Sequence, residues 1–386
     1  MFGIKRKKST NPTEQKAQSV RHLISYQAAA GAVWTPRNYQ ALAREGYMRN
    51  AVVYRCVRMI CEAAASVPMD CVTEPVFSLL HKPNMEQSGT EFFEALYGHL
   101  LLAGNGYLEM VDAGDDLHEL HVLRPDRVQV LVDKTGRPSG WEYTVAGRKI
   151  KMPRDLVQGR NPVLHIKLFH PDNDHYGLSP LEAAACAVDI HNAGAAWNKA
   201  MLDNAARPSG ALVFQSKAGE QMSQEQFERL KQELENTHQG ASNAGRPLLL
   251  EGGLDWRPMA LSPTDMDFLD SRNASAREIA LAFGVPPMLL GIPGDNTYAN
   301  YREANRAFWR QTVLPLSQKT AQALQSWLQA WFGQQVSIRA CQKEVPALAE
   351  DQSMLWKRVN DAGFLSDEEK RELVGLPSKT NQRRPR

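Results

Sequence analysis

The sequence lacks the short motifs by which common enzymes hold phosphates, dinucleotides or catalytic metals. It contains no GxxxxGK[ST], no GxGxxG after a predicted strand, no GxSxG and no HExxH. Each of these spacings sets backbone amides, a nucleophile or metal ligands in a fixed geometry. We therefore predict a protein that is not an enzyme and that has no cofactor and no metal site.

Long apolar runs and paired cysteines are also missing. No stretch of about 18 apolar residues occurs, so no membrane span is predicted. The basic start, residues 1–8, is not followed by an apolar segment, which argues against a secretory signal. The five cysteines are odd in number and never spaced CxxC, which favours reduced intracellular thiols over disulfides or zinc.

An excess of one charge is absent as well. The 45 Lys and Arg residues nearly balance 43 Asp and Glu residues, which gives a formal net charge of +2. A broad basic face for gripping nucleic acid is therefore not expected. The 386 residues are 43% hydrophobic and 23% charged, which is typical of a globular protein with two or three domains.

The first half of the chain predicts an α+β domain over residues 45–178, after a flexible arm at 1–44. A helical pattern over 51–67 is followed by a second helix that ends at Gly104. Ser88 and Glu91 form the capping box that opens this second helix. Alternating or β-branched segments then predict strands of a mostly antiparallel sheet at 106–111, 117–123, 128–132, 140–145 and 163–168.

An alanine-rich helix is predicted over 179–206, with Ser179 as its N-cap. Its narrow surface suits either a helix beside copies of itself or a buried helix within one chain. A compact insert follows at 207–261. It combines strands at 210–214, 247–251 and 254–259 with a helix from Ser223 to about residue 236.

The stretch 262–332 predicts two helical segments around one polar loop. A helix begins at Ser262, with Leu269 on its apolar face, and leads into FGVPPMLLG at 283–291. A loop to Asn300 precedes a long helical segment that Pro315 should kink, because proline removes one backbone hydrogen bond. A last short helix begins at a capping box of Ser366 and Glu369.

Three groups of side chains invite a chemical interpretation. Imidazole and carboxylate groups cluster as His165, His170, Asp172, Asp174 and His175. They could hold a metal, although this composition is more typical of an exposed turn. Trp309, Trp327 and Trp331 could stack on bases, but their helical spacing favours core or subunit packing. Cys56 and Cys61 are predicted to lie in the core.

Five motifs in a fixed order resemble the portal proteins of tailed bacteriophages and phage-derived gene transfer agents. They are YGLSPL at 176–181, ARPSG at 206–210, AGRP at 244–247 with LEGG at 250–253, FGVPPMLLG at 283–291, and YAN at 298–300. The resemblance implies a ring, commonly of twelve subunits, at one vertex of a capsid. Double-stranded DNA would pass through the ring during packaging and ejection.

The resemblance also divides the chain into the parts of a portal-type fold. It implies a mixed wing domain at 45–178, stem helices at 179–206 and 262–287, and a small α/β clip at 207–261. It also implies a tunnel loop at 288–300, a kinked wing helix at 301–333, a wing return at 334–349 and a short helical crown at 350–378. A basic tail at 379–386 ends the chain.

Site residues and partners follow from the same resemblance. The tunnel loop would present Pro293, Gly294, Asp295, Asn296, Thr297, Tyr298 and Asn300 to the DNA. The clip would use Gln224, Glu228, Lys231, Glu235 and His238 to dock the terminase large subunit and a head–tail adaptor protein. The major capsid protein is expected to surround the ring. The resemblance places this chain at the capsid portal vertex of the virion and, during assembly, in the host cytoplasm.

Two alternatives remain at this point. One is a monomeric adaptor that binds nucleic acid, and the other is a metal-dependent enzyme that uses the region from His165 to His175. Metal analysis of the purified protein and its oligomeric state distinguish both alternatives from a ring.

Overall fold

The computed structural model describes residues 34–112, 118–203, 210–214, 223–226, 228–229, 232, 254–258, 268–294, 297–332, 336–342 and 345–374. The chain divides into two units, Met1–Trp34 and Thr35–Arg386. The elements below all belong to the second unit.

Helices account for most of the described elements. In chain order they are α1 (Tyr39–Leu42), α2 (Ala51–Ala65), α3 (Glu74–His81), α4 (Gly89–Ala103), α5 (Pro180–Ala183), α6 (Ala185–Asp203), α7 (Phe268–Phe283), α8 (Tyr298–Phe308), α9 (Leu314–Phe332), α10 (Ala349–Asp361) and α11 (Asp367–Leu373). Two π-helical turns, Ala43–Met48 and Trp309–Val313, continue α1 and α8.

The strands form small sheets in which every described pair is antiparallel. They are β1 (Met69–Cys71), β2 (Asn105–Asp112), β3 (His118–Leu123), β4 (Val128–Val132), β5 (Pro138–Val145), β6 (Arg148–Pro153), β7 (Val163–Lys167), β8 (Gly210–Phe214), β9 (Leu254–Pro258) and β10 (Ile338–Ala340). The strand orders are β3-β2-β7 and β4-β5-β6, with two further pairs, β1-β10 and β8-β9. The expected antiparallel pairing is confirmed, but it is divided between two three-stranded sheets.

The main core forms where α2 and α4 pack against each other and against α9. Phe92, Leu96 and Leu100 of α4 are fully buried, as are Ile60 of α2 and Leu324 of α9. A second, smaller core lies beneath β4-β5-β6 and includes residues of β2 and β7. Burial of these side chains removes apolar surface from water and so links the helical layer to the sheets.

The polar residues that open helices act as the sequence predicts. Ser88 and Glu91 form a reciprocal capping box at α4, and Ser366 and Glu369 form one at α11. Ser179 caps α5 by accepting hydrogen bonds from the amides of Leu181 and Glu182. These contacts satisfy amides that have no partner within the first turn of a helix.

Two expectations differ from the structure, and a third falls on residues that it does not describe. The arm predicted to extend to residue 44 already contains α1, and Leu42 is buried. Leu269 is 74% exposed and does not lie on the buried face of α7, because burial in this helix begins only at Ser275 and Ala276. The residues 259–267, where α7 was predicted to begin, lie outside the described part of the chain.

Candidate channel segment and docking face

The connection between α7 and α8 is a sequence of tight turns fixed by glycine and proline. Gly284 ends α7 with φ of +66°, and Pro287–Leu290 forms a 3-10 turn. Gly291 closes that turn with φ of +71°, and its amide donates to the carbonyl of Met288 at 3.2 Å. Positive φ values favour glycine, so the FGVPPMLLG stretch has a structural reason for both glycines.

Gly284 also has no room for a side chain. A Cβ at this position would lie 2.7 Å from Thr312 Oγ1. The same hydroxyl donates to the carbonyl oxygen of Gly284 at 2.6 Å. Thr312 lies in the π-helical turn after α8, so this bond ties the two sides of the connection together.

The predicted tunnel loop ends earlier than the sequence indicated. Thr297 is the N-cap of α8, and its Oγ1 accepts from the amide of Asn300 at 3.2 Å. Tyr298 and Asn300 therefore lie in the first helical turn, with the Tyr298 ring 80% exposed. Pro293 and Gly294 are exposed, while Asp295 and Asn296 lie outside the described residues. Which of these side chains face a channel stays a prediction.

Two arginines from neighbouring helices contact this segment, although residues 293–298 contain no Lys or Arg. The Arg277 guanidinium of α7 donates to the carbonyl of Pro293. Arg302 of α8 lies over the Tyr298 ring, with 5.7 Å between its Cζ and the ring centroid. The four-residue spacing of Tyr298 and Arg302 could have indicated the second contact, but nothing in the sequence indicates the first.

A row of arginines then joins this region to α10. Arg302 pairs with Glu350 at 3.1 Å, and Arg306 pairs with the same carboxylate. Arg310 pairs with Asp351 at 2.5 Å. Only 14% of the Arg306 side chain is exposed, whereas Arg302 and Arg310 are about half exposed. The two acidic residues lie in the first turn of α10, where the helix dipole favours negative charge.

The predicted docking face of the insert is partly described. Ser223 and Gln226 exchange the hydrogen bonds of a capping box, at 3.0 and 3.3 Å, which confirms the predicted start of the helix. Gln224 and Glu228 are exposed on it. Strands β8 and β9 form at the predicted segments 210–214 and 254–259 and pair antiparallel, whereas the predicted strand at 247–251 lies outside the described residues. Lys231, Glu235 and His238 also lie outside them.

The histidine region does not form a metal site in the structure. His165 of β7 bonds through Nε2 to Asn105 Oδ1 at 2.9 Å. His170 Nδ1 accepts from the amide of Asp172, within an exposed turn. Within the described part of the chain, no three His, Cys, Asp or Glu side chains are placed to share a metal ion. The interpretation as an exposed turn fits residues 171–174, which are exposed, while His170 and His175 on either side are half-buried.

The tryptophans and cysteines of interest pack inside the chain. Trp327 is 5% exposed, and its indole N–H donates to the carbonyl of Asn161 at 2.7 Å. Trp331 donates to the same oxygen at 3.1 Å. Cys56 and Cys61 are buried, and burial raises the pKa of both thiols to about 12. Among the described residues, no helix is both long and apolar enough to cross a bilayer.

Comparison with solved structures defines the class of protein to which this fold belongs. The fold matches that of a chain from the virion of a native gene transfer agent particle, with a TM-score of 0.70 and 54% identity over 91% of this chain and 96% of that one. A chain from the neck of the native particle, computed with C12 symmetry, gives the same score and identity. An HK97-family portal protein from Corynebacterium diphtheriae, 15% identical with a TM-score of 0.56, shares the fold.

The family follows from sequence comparison. Residues 51–375 match the family model described as phage portal protein, and the chain belongs to this family. An uncharacterized protein of Rickettsia bellii is 41% identical over 86% of this chain and 88% of its own length. The portal protein of Enterobacteria phage HK97 is 24% identical over 74% of this chain and 68% of its own length. The family resemblance predicted from the five motifs is confirmed.

Proposed function

We propose that this chain is the portal subunit of a phage or gene transfer agent particle. Copies of it form a ring at one vertex of the capsid, and double-stranded DNA passes through the ring when the particle is filled and emptied. The observation that carries the proposal is the 54% identity, over 91% of the chain, to a chain in the neck of a native gene transfer agent particle. The structure of that neck was computed with C12 symmetry. That likeness supports a ring, and we propose twelve copies in it.

Exposed parts of the α6 helix support association between copies. Ala184, Ala185 and Ala187 are buried within the chain, whereas Ala193 and Ala196 are exposed. Small side chains allow two helices to approach closely. The first part of the alanine-rich segment is thus buried within the chain, and we propose that the exposed part packs beside copies of itself.

The segment between α7 and α8 is the proposed contact with DNA in the channel. Its residues 293–298 carry no cation, and each Lys–phosphate or Arg–phosphate contact would add affinity and resist sliding. The nearby Arg277 and Arg302 are engaged by a backbone carbonyl, an aromatic ring and a carboxylate. Pro293, Gly294, Asp295, Asn296, Thr297, Tyr298 and Asn300 would thus touch a duplex without holding it.

A partner protein would supply the energy for DNA packaging. The sequence has no phosphate-binding loop, so ATP hydrolysis would belong to a terminase large subunit docked on the insert at 207–261. A head–tail adaptor protein would later use the same face, and the major capsid protein would surround the ring. The metal-enzyme alternative gains no support from the geometry at His165 to His175.

Native mass spectrometry of the purified full-length protein tests the ring. We expect a closed species of about twelve copies, as the symmetry of the similar neck suggests. Images of negatively stained particles should show a central hole. Monomers alone, over a range of salt and protein concentrations, would contradict the proposal and favour the monomeric adaptor.

The docking face is tested by reversing one exposed charge. Glu228→Lys should weaken capture of the terminase large subunit severalfold, because reversing a charge at the rim of an interface changes the association rate. Glu74→Lys, also exposed but on α3, is the matched control and should bind normally. If Glu228→Lys abolished ring formation instead, this helix would belong to the subunit interface.

A further inference from the structure

Strand β6 forms one edge of the β4-β5-β6 sheet. Among the described strands it pairs only with β5, so its outer side carries no neighbouring strand. Of its six residues, only Met152 is buried. An uncovered edge of this kind offers backbone N–H and C=O groups to another strand.

The hairpin that joins β5 to β6 sets the hydrogen-bond pattern of this edge. Ala146 and Gly147 have positive φ values of 47° and 78°, as in a two-residue turn between antiparallel strands. Val145 and Arg148, which flank the turn, are paired. The residues that close such a turn bond each other, and bonding to the partner strand then recurs at every second residue. The even-numbered residues of β6 therefore bond β5.

Two further observations agree with this pattern. The amide of Arg154 donates to the carbonyl of Ser139 in β5 at 2.9 Å, so the even-numbered series continues past the end of β6. Pro153, which has no N–H, occupies an odd-numbered position, where no bond to β5 is lost. The N–H and C=O groups of Lys149 and Lys151 therefore point outward, away from the sheet.

Positive charge is concentrated on β6 and the loop after it. Residues 148–160 contain five cations and one carboxylate, that of Asp155, although the net charge of the whole chain is only +2. Lys149 pairs with Glu142 at 2.7 Å, whereas Lys151 and Arg154 form no ion pair with a described residue. All five cations are exposed: Arg148, Lys149, Lys151, Arg154 and Arg160.

Exposed apolar side chains lie among these cations. Ile150 is about half exposed, and Leu156 and Val157 project from the loop almost entirely into solvent. The loop is ordered, because Asp155 Oδ1 accepts from the amides of Val157 and Gln158 at 2.9 and 3.0 Å. Apolar groups that are already held in place lose little conformational freedom when a partner covers them.

The charges determine what kind of strand fits this edge. Strand β6 of a second copy would bring lysine and arginine against lysine and arginine, and like charges directly opposite each other are destabilising. Lysines on an edge can also serve only to keep other strands away. The exposed Ile150, Leu156 and Val157 are not needed for that purpose, and they offer apolar contacts that a DNA backbone does not use.

We propose that the outer edge of β6 binds an extended, acidic segment of a partner protein as a fourth strand of the β4-β5-β6 sheet. Because side chains alternate between the two faces of a sheet, acidic residues at every second position lie opposite Lys149 and Lys151. The residue between them is apolar and lies beside Ile150. Backbone bonds to Lys149 and Lys151 supply affinity, and the charges supply specificity. This binding is independent of the channel function.

Fluorescence anisotropy with the full-length, assembled protein tests the proposal. The probe is a labelled Glu-Val-Glu-Val-Glu-Val peptide with blocked ends, and the control is the same peptide with lysine in place of glutamate. We expect the glutamate peptide to bind at least about tenfold more tightly, because its charges complement those of β6.

Two substitutions at position 151 distinguish backbone pairing from charge. Lys151→Thr and Lys151→Pro both remove the ammonium group, but only proline also removes the outward N–H. We expect Lys151→Thr to weaken binding about threefold and Lys151→Pro at least about tenfold. Lys134→Thr removes an exposed lysine from the turn between β4 and β5 and should bind the peptide normally.

The same bonds are removed from the peptide when its amides are methylated. In an antiparallel pair with glutamates opposite Lys149 and Lys151, the glutamate amides face β6 and the valine amides face away. N-methylation of the glutamates should therefore abolish binding, whereas N-methylation of the valines should not. Both peptides are tested on the unaltered protein, so the comparison does not require any variant to fold.

Three results would overturn the proposal. Equal affinities in either comparison, of the two substitutions or of the two methylated peptides, would leave a charged edge that only keeps other strands away. Competition by a short DNA duplex as strong as that by unlabelled glutamate peptide would make the patch a surface for polyanions. Failure of the glutamate peptide to bind the assembled protein would show that the edge is not open to a partner strand.

Discussion

His165 makes a hydrogen bond with Asn105 and stacks on the ring of Tyr107. Its Nε2 is 2.9 Å from Asn105 Oδ1, and its ring stacks on Tyr107 with the centroids 4.2 Å apart. The same Asn105 Oδ1 accepts from the amide of Gly177 at 2.8 Å, and Asn105 is the first residue of β2, shortly after α4. The imidazole therefore positions backbone segments in its neutral form. Burial, followed by the charge of Lys167, holds its pKa at about 3.

This low pKa predicts acid sensitivity. Because the folded pKa lies below the ordinary value of 6.5, the unfolded chain binds the proton more tightly. The contribution of neutral His165 to the free energy of unfolding is fully present above pH 6.5 and is lost as the pH falls toward 3. For this proton, we expect the free energy of unfolding to decrease by up to about 1.4 kcal/mol per pH unit. Denaturant titrations between pH 4 and 7 measure this change in the free energy of unfolding.

The control for that experiment is an exposed histidine. His165→Gln should reduce the slope with pH, whereas His81→Gln should leave it unchanged. Half-buried His99, whose pKa is lowered to about 4 chiefly by desolvation, should leave a residual slope in both variants. All samples need the same protein concentration, since oligomer stability depends on it. An unchanged slope in His165→Gln would show that this proton is not linked to folding.

Individual elements differ in how well the sequence predicts them. The helix starts at Ser88, Ser179, Ser223 and Ser366 were all predicted, because a cap is a local interaction within four residues. Strand β6 was not predicted, because its polar–apolar alternation covers only residues 149–152; in the structure Ile150 is exposed and only Met152 is buried. The three-residue pair β1-β10 was missed because it joins segments about 270 residues apart in the sequence.

The kink predicted in the long helical segment matches the structure only in part. A kink was expected at Pro315, which has no amide hydrogen and whose ring crowds the carbonyl four residues earlier. The structure has the π-helical turn Trp309–Val313 immediately before α9, so the irregularity lies one turn ahead of the proline. The sequence thus indicates the break in the hydrogen-bond pattern but not its form.

The arginine row that joins α8 to α10 gives an element-scale prediction. Arg306→Glu should weaken the contact between these helices, because it places like charges at Glu350 and Glu303. Adding Glu350→Arg should restore part of the loss. A double-mutant cycle on the free energy of unfolding should give a coupling of about 0.5 to 1 kcal/mol, since Arg306 is largely shielded from solvent but Glu350 is half exposed.

The Arg55–Glu62 pair is the control for this cycle. Its atoms are 3.8 Å apart and both side chains are about half exposed, so its coupling should be close to zero. Salt should reduce the small coupling more than the large one. Equal couplings at the two sites would mean that α10 is held by its apolar contacts rather than by the arginine row.

At the scale of the whole molecule, the sequence carries the family but not its three-dimensional contacts. Five ordered motifs were enough to predict the phage portal family, which the match over 51–375 confirms. The bond from Arg277 to the Pro293 carbonyl and the pairing of α8 with α10 could not be predicted. They join residues from separate helices, and no periodicity within one segment encodes such a pairing.

The same contacts sharpen the test of the channel segment. Residues 294–296 lie between Pro293, held by Arg277, and Thr297, which caps α8. Deleting these three residues leaves Pro293 and Thr297 in place, so the proposed ring should still form. If the segment touches DNA, the shortened protein should package or retain less DNA in assembled particles. Native mass spectrometry and the DNA content per particle measure the two effects separately.

Replacing residues 294–296 by Ser-Gly-Ser keeps the length of the segment and removes the side chains of Asp295 and Asn296. This variant distinguishes an effect of segment length from an effect of these side chains. Retention that is normal in this variant but low in the deletion would show that the segment acts by reaching the duplex. Low retention in both would give the side chains a specific role. Normal retention in both would place the DNA contact elsewhere, and loss of rings in the deletion would make the segment part of the subunit interface.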